Sequence, residues 1–396
     1  MSLRRRQFLI LGGIALGLGP GVLAHRSLRQ QSAGEGAIAP PPTTNTSTNT
    51  PTNTPVASAQ PTPTYPAPAG LYAPERGDVR LVVISDLNSR YGATTYRAEV
   101  EAGVKMIPDW QPDLVICSGD MVAGQSLNLN LQQVQAMWTS FDQRVFTPIR
   151  QTGLPFALTL GNHDASSVFS RGEFVYALDR TVADAFWNQP QRDLGLQFVD
   201  RAGFPFYYSF EQNQIFYLVW DASSATVADE QIAWAERSLA SDTAQTAKMR
   251  IAIGHLPFYA VSQGRDRAGE ILNRADELRS LLERYRVHTY ISGHHHAYFP
   301  GHVGQLEMLY TGALGSGPRS LLGTTTAPFQ TLTVIDINLD AATTNYTTYN
   351  MATLKVVDES TLPRLLVGPN GRVLRHDITL ADLTPEEKNR QHFVSK

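Results

Sequence analysis

An α/β fold is predicted by three features of this 396-residue chain. Five short apolar runs each end in a turn carrying carboxylate, amide or imidazole groups: 79–85, 113–118, 155–160, 249–253 and 287–292. They are too short for helices and read as buried strands. Stretches of helical periodicity at 96–110 and 131–152 separate the first of them, as βαβ units of a parallel sheet require. The region from 77 onward is also long enough for one large domain with a full core. In sheets of this kind the loops at the carboxyl ends of the strands gather along one edge, where ligands bind.

From its start, the chain opens with Arg4-Arg5-Arg6, a glycine-rich apolar run and a small-residue ending at Ala24. A basic head, short apolar middle and cleavable end read as a signal peptide over 1–24, and Arg5-Arg6-x-Phe8-Leu9 resembles a twin-arginine export signal. Whether it is cleaved or kept as an anchor stays open, although glycines and a proline interrupt it and it is short of the ~20 apolar residues a span prefers. Residues 25–76 form a Pro/Thr/Asn-rich linker with no charged residue between Glu35 and Glu75. Frequent prolines and few large apolar groups forbid a packed core there. The expected location is periplasmic, cell-surface or secreted. A formal net charge of −3 gives no electrostatic footprint for nucleic acid, and no stable membrane span is expected after cleavage. The single cysteine, Cys117, lies in an apolar run and reads as core, so no disulfide forms within the chain.

The loaded turns carry Asp86 and Asn88, Asp120, Asn162-His163-Asp164, His255, and His294-His295-His296. Strand ends bring them together despite their spread over more than two hundred residues. Asp120 is suited to bridge two cations, because a carboxylate has two oxygens with separate lone pairs. Asp86, Asn162, His255, His294 and His296 add hard oxygens and borderline imidazoles, a mixture that suits two divalent or trivalent ions of Fe, Mn or Zn. Two ions about 3.5–4 Å apart activate water and neutralise charge on a phosphoryl group. Consecutive Asn162 and His163 point in different directions, so one can ligate while the other faces substrate.

Asp-x-Asn, Gly-Asp, Gly-Asn-His-Asp, Gly-His-x-Pro and Gly-His-x-His, in this order, resemble the calcineurin-like metallophosphoesterase superfamily, which includes purple acid phosphatases. The resemblance spans about 79–347, and the segments 206–221 and 228–239 share it. It implies a four-layer α-β-β-α sandwich of two mixed sheets flanked by helices. It also implies a first metal on Asp86, Asp120 and His296, and a second on Asp120, Asn162, His255 and His294. A metal-bridging hydroxide would be the nucleophile, with His163 as the leaving-group acid and Asp164 holding its ring. The implied catalytic domain covers 77–356 and a C-terminal extension 357–396, in which Pro369-Asn370-Gly371 predicts a hairpin.

Two positions depart from the family pattern. Asn88 stands where a histidine is usual, which weakens that ligand position, and Ala123 stands where an acidic or amide residue is common. The expected activity is hydrolysis of a small-molecule phosphoester, a monoester first. The alternatives are a phosphodiesterase of the same superfamily and a phosphate-binding or surface protein with a degenerate site. Substrate selection is expected in the insertion between Asp164 and Pro205, and the oligomeric state is not legible. His295, between two candidate ligands, is expected to point away from them, and the run 204–210 to form strand core.

Overall fold

The computed structural model describes residues 65–391, so the predicted signal at 1–24 and the linker as far as 64 lie outside the described residues. Three strands come first: β1 (Val79–Ile84), β2 (Leu114–Cys117) and β3 (Phe156–Leu158), parallel to one another and buried throughout. Such continuous burial is what strands covered on both faces require. Helix Ala98–Met106 joins the first two. Helix Leu131–Phe141 starts at a capping box, in which Asn130 accepts from the Gln133 N–H and Gln133 returns the bond. The helical stretch predicted over 131–152 is continuous as far as Gln151, with a π turn at Asp142–Phe146 inside it before α-helical geometry resumes as Thr147–Gln151. Pro148, which has no N–H to give, sits at that resumption.

The predicted insertion holds a small arm, β4 (Phe169–Ser170) and β5 (Glu173–Phe174), turned through left-handed Arg171 and Gly172. A meander follows: β6 (Gln197–Gly203), β7 (Tyr207–Gln212) and β8 (Ile215–Val219), the last two joined by Asn213 and Gln214, both left-handed. Next are β9 (Met249–Ile253), β10 (Thr289–Ser292), β11 (Tyr298–Val303) and β12 (Leu306–Thr311). The chain then makes β13 (Thr331–Asn338), β14 (Thr343–Asn350) and β15 (Lys355–Val356), and ends in the hairpin β16 (Leu365–Gly368) and β17 (Gly371–Arg375).

Two mixed sheets result. One runs β15-β14-β13-β1-β2-β3 and the other β16-β17-β11-β12-β10-β9-β8-β7-β6. Alternation along β8 places the second sheet: Ile215, Tyr217 and Val219 join the core that contains β1, β2 and β3, whereas Phe216 and Leu218 face the other way. That second face is covered by Trp234 and Leu239 of helix Asp229–Leu239 and by Leu278 and Leu282 of helix Ala275–Arg284. Val100, Val134 and Trp138 of the early helices pack on the first sheet's core. Helix, sheet, sheet and helix are thus the four layers expected.

Both ends of the domain extend further than the sequence divided it. Residues 65–76, assigned to the linker, are tied to the first sheet: buried Arg80 donates to the carbonyls of Pro66 and Pro74 at 3.1 and 2.9 Å, and Tyr349 to that of Tyr72 at 2.7 Å. The predicted hairpin in 357–396 is no separate appendage, because β17 pairs with β11 and so lengthens the second sheet.

Candidate metal centre

Strand ends from both sheets meet at one edge. Asp86 follows β1, Asp120 follows β2 and Asn162 follows β3, while His255 follows β9 and His294 and His296 follow β10. Asp86, Asp120, His294 and His296 all have φ between 51° and 61°, a left-handed conformation that costs a non-glycine residue on the order of 1 kcal/mol. Four such residues at one point form a turn geometry that the surrounding packing imposes, and it turns their side chains together. Glycines permit the crowding. A Cβ on Gly161 would overlap the Asp120 carboxylate and backbone, and one on Gly293 would overlap the Ser85 hydroxyl and lie 2.6 Å from Asp86 Oδ2.

Asp86, Asp120 and His296 each present a ligand atom within 4.8 Å of the others, and all three are buried. His296 Nε2 lies 3.0 Å from Asp86 Oδ1 but makes no hydrogen bond, and buried Asp120 Oδ2 has no hydrogen-bond partner among the described residues. Buried lone pairs without partners are costly unless something cationic meets them, so the donors fit a metal ion. Beside them Asn162 Oδ1 lies 3.1 Å from His255 Nε2 and 2.8 Å from His294 Nδ1. His255 Nε2 is 3.4 Å from Asp120 Oδ1, which places Asp120 at the border of both groups.

The other nitrogen of each ring is already committed. His255 Nδ1 faces the Ser118 carbonyl and His296 Nδ1 the Gly317 carbonyl, both at 2.8 Å, so in each case Nε2 is left with the lone pair. His294 Nε2 faces Glu270 Oε2 at 3.0 Å, which leaves Nδ1 toward Asn162. Burial and the adjacent Arg265 hold the His294 imidazole well below its ordinary pKa, in the neutral form a ligand needs. Burial alone would also depress His255, but the carboxylates of Asp120 and Asp86 raise it to about 9 in the absence of a competing cation.

Asn88 is buried, and its Nδ2 donates to the Val122 carbonyl at 3.3 Å, so its amide oxygen is the atom with which it can ligate. Asn162 is oriented in the same way, donating to Gln125 Oε1 at 2.7 Å. His163 donates its backbone N–H to Asp120 Oδ1 (2.8 Å), sets ring Nδ1 3.0 Å from the Gly124 carbonyl, and holds Nε2 4.0 Å from Asp120 Oδ2. The expected ring partner, Asp164, is engaged elsewhere: its two oxygens accept from the backbone N–H groups of Val122 and Gly161 at 2.9 and 2.8 Å. It ties the second loop to the third, and a carbonyl replaces it at the His163 ring. His295 turns away from the centre, with Nδ1 accepting from the Val261 N–H.

Glu270, Arg265, Arg319 and Gln125 escaped the sequence reading. Glu270 joins Arg265 (2.6 Å) to His294, from an irregular loop after Gly254-His255-Leu256-Pro257. No motif or period marks Glu270, and the sequence shows only that it follows Arg265 and Arg267 soon after a ligand motif. Over the centre opens a cleft of about 940 Å³, whose lining includes Asn162, His163, His294, Arg265 and Arg319. Buried donors, ordered rings and cations beside an open cleft suit hydrolysis of an anionic ester.

The model of the family described as calcineurin-like phosphoesterase matches residues 79–298. A curated relative, probable purple acid phosphatase 20 of Arabidopsis thaliana, is 22% identical over 227 residues, 57% of this chain and 47% of its own length. Purple acid phosphatase PPD1 from yellow lupin (Lupinus luteus) seeds overlays with a TM-score of 0.49 and 16% identity, over 71% of this chain and 52% of its own. A dimetal phosphatase from Danio rerio gives a TM-score of 0.45 at 12% identity, covering 66% of this chain and 93% of its own. The chain thus spans about half the length of the plant relatives it matches. By the match over 79–298, more than half of its length, the chain belongs to the calcineurin-like phosphoesterase family.

Proposed function

We propose that this chain is an exported phosphoester hydrolase with a dinuclear metal centre, acting on phosphomonoesters. The observation that carries the reading is the pair of donor groups that meet at Asp120, with unpaired lone pairs on Asp120 Oδ2 and His296 Nε2. Asp86, Asp120 and His296 would hold one ion, with Asn88 at its side; Asp120, Asn162, His255 and His294 would hold the other. When bound, the two ions supply Lewis acidity toward the phosphoryl oxygens and make water a nucleophile at neutral pH.

The residues around them do the rest. His163, whose Nε2 faces the centre, donates a proton to the leaving oxygen, and the Gly124 carbonyl fixes its ring for that task. Glu270 holds the His294 ring through Nε2. Arg265 and Arg319 line the cleft and offset a dianionic phosphate, which favours a monoester over a diester. The basic head and apolar run of 1–24 support export, and the Pro/Thr/Asn-rich run up to 64, uncharged after Glu35, supports a spacer ahead of the domain.

The test measures metal content per chain, together with turnover of a chromogenic phosphomonoester and diester by wild type and His163→Ala. Two ions per chain, faster monoester turnover and a loss of about 10²-fold or more in the variant are expected. Fewer than two ions with no turnover after Mn, Fe or Zn is supplied would sink the proposal.

A further inference from the structure

The cleft over the centre, about 940 Å³, is far larger than a phosphoryl group fills, and part of its wall is apolar. Tyr91, Val168, Phe169 and Phe174 line it while remaining 62%, 40%, 60% and 39% exposed. Large apolar side chains gathered at the rim of a cleft mark a binding surface. Tyr91 stands with its ring centroid 5.3 Å from that of His163. Phe169 and Phe174 meet edge to face at 5.3 Å across the β4–β5 arm.

The arm is held in place before anything binds. The Arg180 guanidinium lies 4.2 Å from the Phe174 ring and 4.0 Å from that of Phe206, and it donates to the Ala165 carbonyl at 2.7 Å and to Asp221 Oδ2 at 2.9 Å. An anchored cation sandwiched by two rings fixes one aromatic and leaves its partner Phe169 uncovered. Fixing a binding ring in advance lowers the ordering cost of a ligand that stacks on it.

We propose that this aromatic wall is a leaving-group subsite, which takes a planar aromatic group carried by the alcohol portion of a phosphate ester. The inference rests on the phosphoester reading of the centre. Its occupant follows from continuity: His163 is the group placed to protonate the leaving oxygen, and Tyr91 is its ring neighbour. An alcohol leaving past His163 therefore runs along Tyr91. The anionic end has its own place at the donor groups, where Arg319 and the Glu270-paired Arg265 line the same cleft. Aryl alcohols and nucleosides share the planar ring, and the test separates them.

Metal-loaded full-length protein is assayed on two pairs of esters, each matched in its leaving oxygen: benzyl against cyclohexylmethyl phosphate, and adenosine 5′-phosphate against ribose 5-phosphate. The aromatic member of at least one pair is expected to have the higher kcat/KM, and the preferred pair identifies the source. In Phe169→Ser/Phe174→Ser, and separately in Tyr91→Ala, that preference falls by about ten-fold, the scale of one lost aromatic contact. Ratios near one in wild type, or preserved in both variants, overturn the subsite. So does a variant that turns a dimer into a monomer by light scattering while the ratio holds, because the arm is then an interface between copies. If wild type hydrolyses no ester, the phosphoester reading fails, and the subsite is judged by calorimetry with benzylphosphonate. Binding weakened in the variants sustains it, and equal binding overturns it.

Discussion

At the scale of single residues, Asp164 separates two roles that the Asn-His-Asp turn allows. Were it the orienter of His163, removing its charge would lower turnover and leave the fold alone. In the structure both of its oxygens accept backbone N–H groups, of Val122 and Gly161, from a fully buried position. Asp164→Asn keeps one acceptor and turns an NH₂ against the other N–H. A buried donor left without a partner costs about 1–3 kcal/mol. The expected result is a melting temperature lowered by several degrees, with His163 still held by Gly124. A thermal melt and a pH–rate profile on the same samples check it: an unshifted melt with a collapsed rate returns Asp164 to the orienting role. Glu270 teaches the complementary lesson, since it reaches His294 from a loop and no pattern in its neighbourhood announced it.

At the scale of elements, the C-terminal hairpin is pinned through a polar cluster. Glu359 accepts from Tyr298 Oη at 2.5 Å and faces His376 Nε2 at 2.7 Å, just beyond β17. Burial alone would depress the His376 imidazole, but the hydrogen bond and charge of Glu359 raise it above its ordinary value. A histidine with a raised pKa stabilises the fold fully below its unfolded pKa, near 6.5, and that contribution fades as pH rises through the folded value. Glu359→Gln should therefore destabilise more at pH 6 than at pH 9, as read by urea unfolding at both; an equal loss at the two would remove His376 from the account. The hairpin was legible because Pro369-Asn370-Gly371 interrupts apolar runs, and the ligand turns were legible because each closes a buried strand. The π turn after Phe141 was not, since the apolar positions keep helical spacing through it and Pro148 suits a first helical turn as well as a kink. Nor was the role of Glu270, because an irregular loop carries no period from which a direction could be read.

At the scale of the whole molecule, the question is where the folded body begins. Pattern placed the boundary at 76, since 65–76 hold prolines and little to bury. Three of its backbone carbonyls bind this segment to the body, beside the Arg76–Asp113 pair at 2.7 Å and the packing of Ala67 and Leu71, and side-chain patterns do not record carbonyl partners. Arg80 is fully buried and pairs with Asp336 at 2.8 and 3.0 Å, yet it also needs the carbonyls of Pro66 and Pro74. A guanidinium in the interior is tolerated only while its donors are met, and stripping partners from a buried charge is strongly destabilising. Two shortened proteins separate the boundaries. A chain of residues 65–391 should melt within a degree or two of the full-length protein, because it keeps every partner of Arg80 and Tyr349 named here. A chain of 77–391 leaves two Arg80 N–H donors and the Tyr349 O–H without their acceptors, although Tyr349 Oη still accepts from Trp110 Nε1, at about 1–3 kcal/mol for each buried group. It should melt many degrees lower or fail to accumulate, and Arg80→Met in that shorter chain should recover part of the loss by removing the stranded charge. Equal melting of the two shortened chains would mean that 65–76 merely lie on the surface and that the body starts at Gly77.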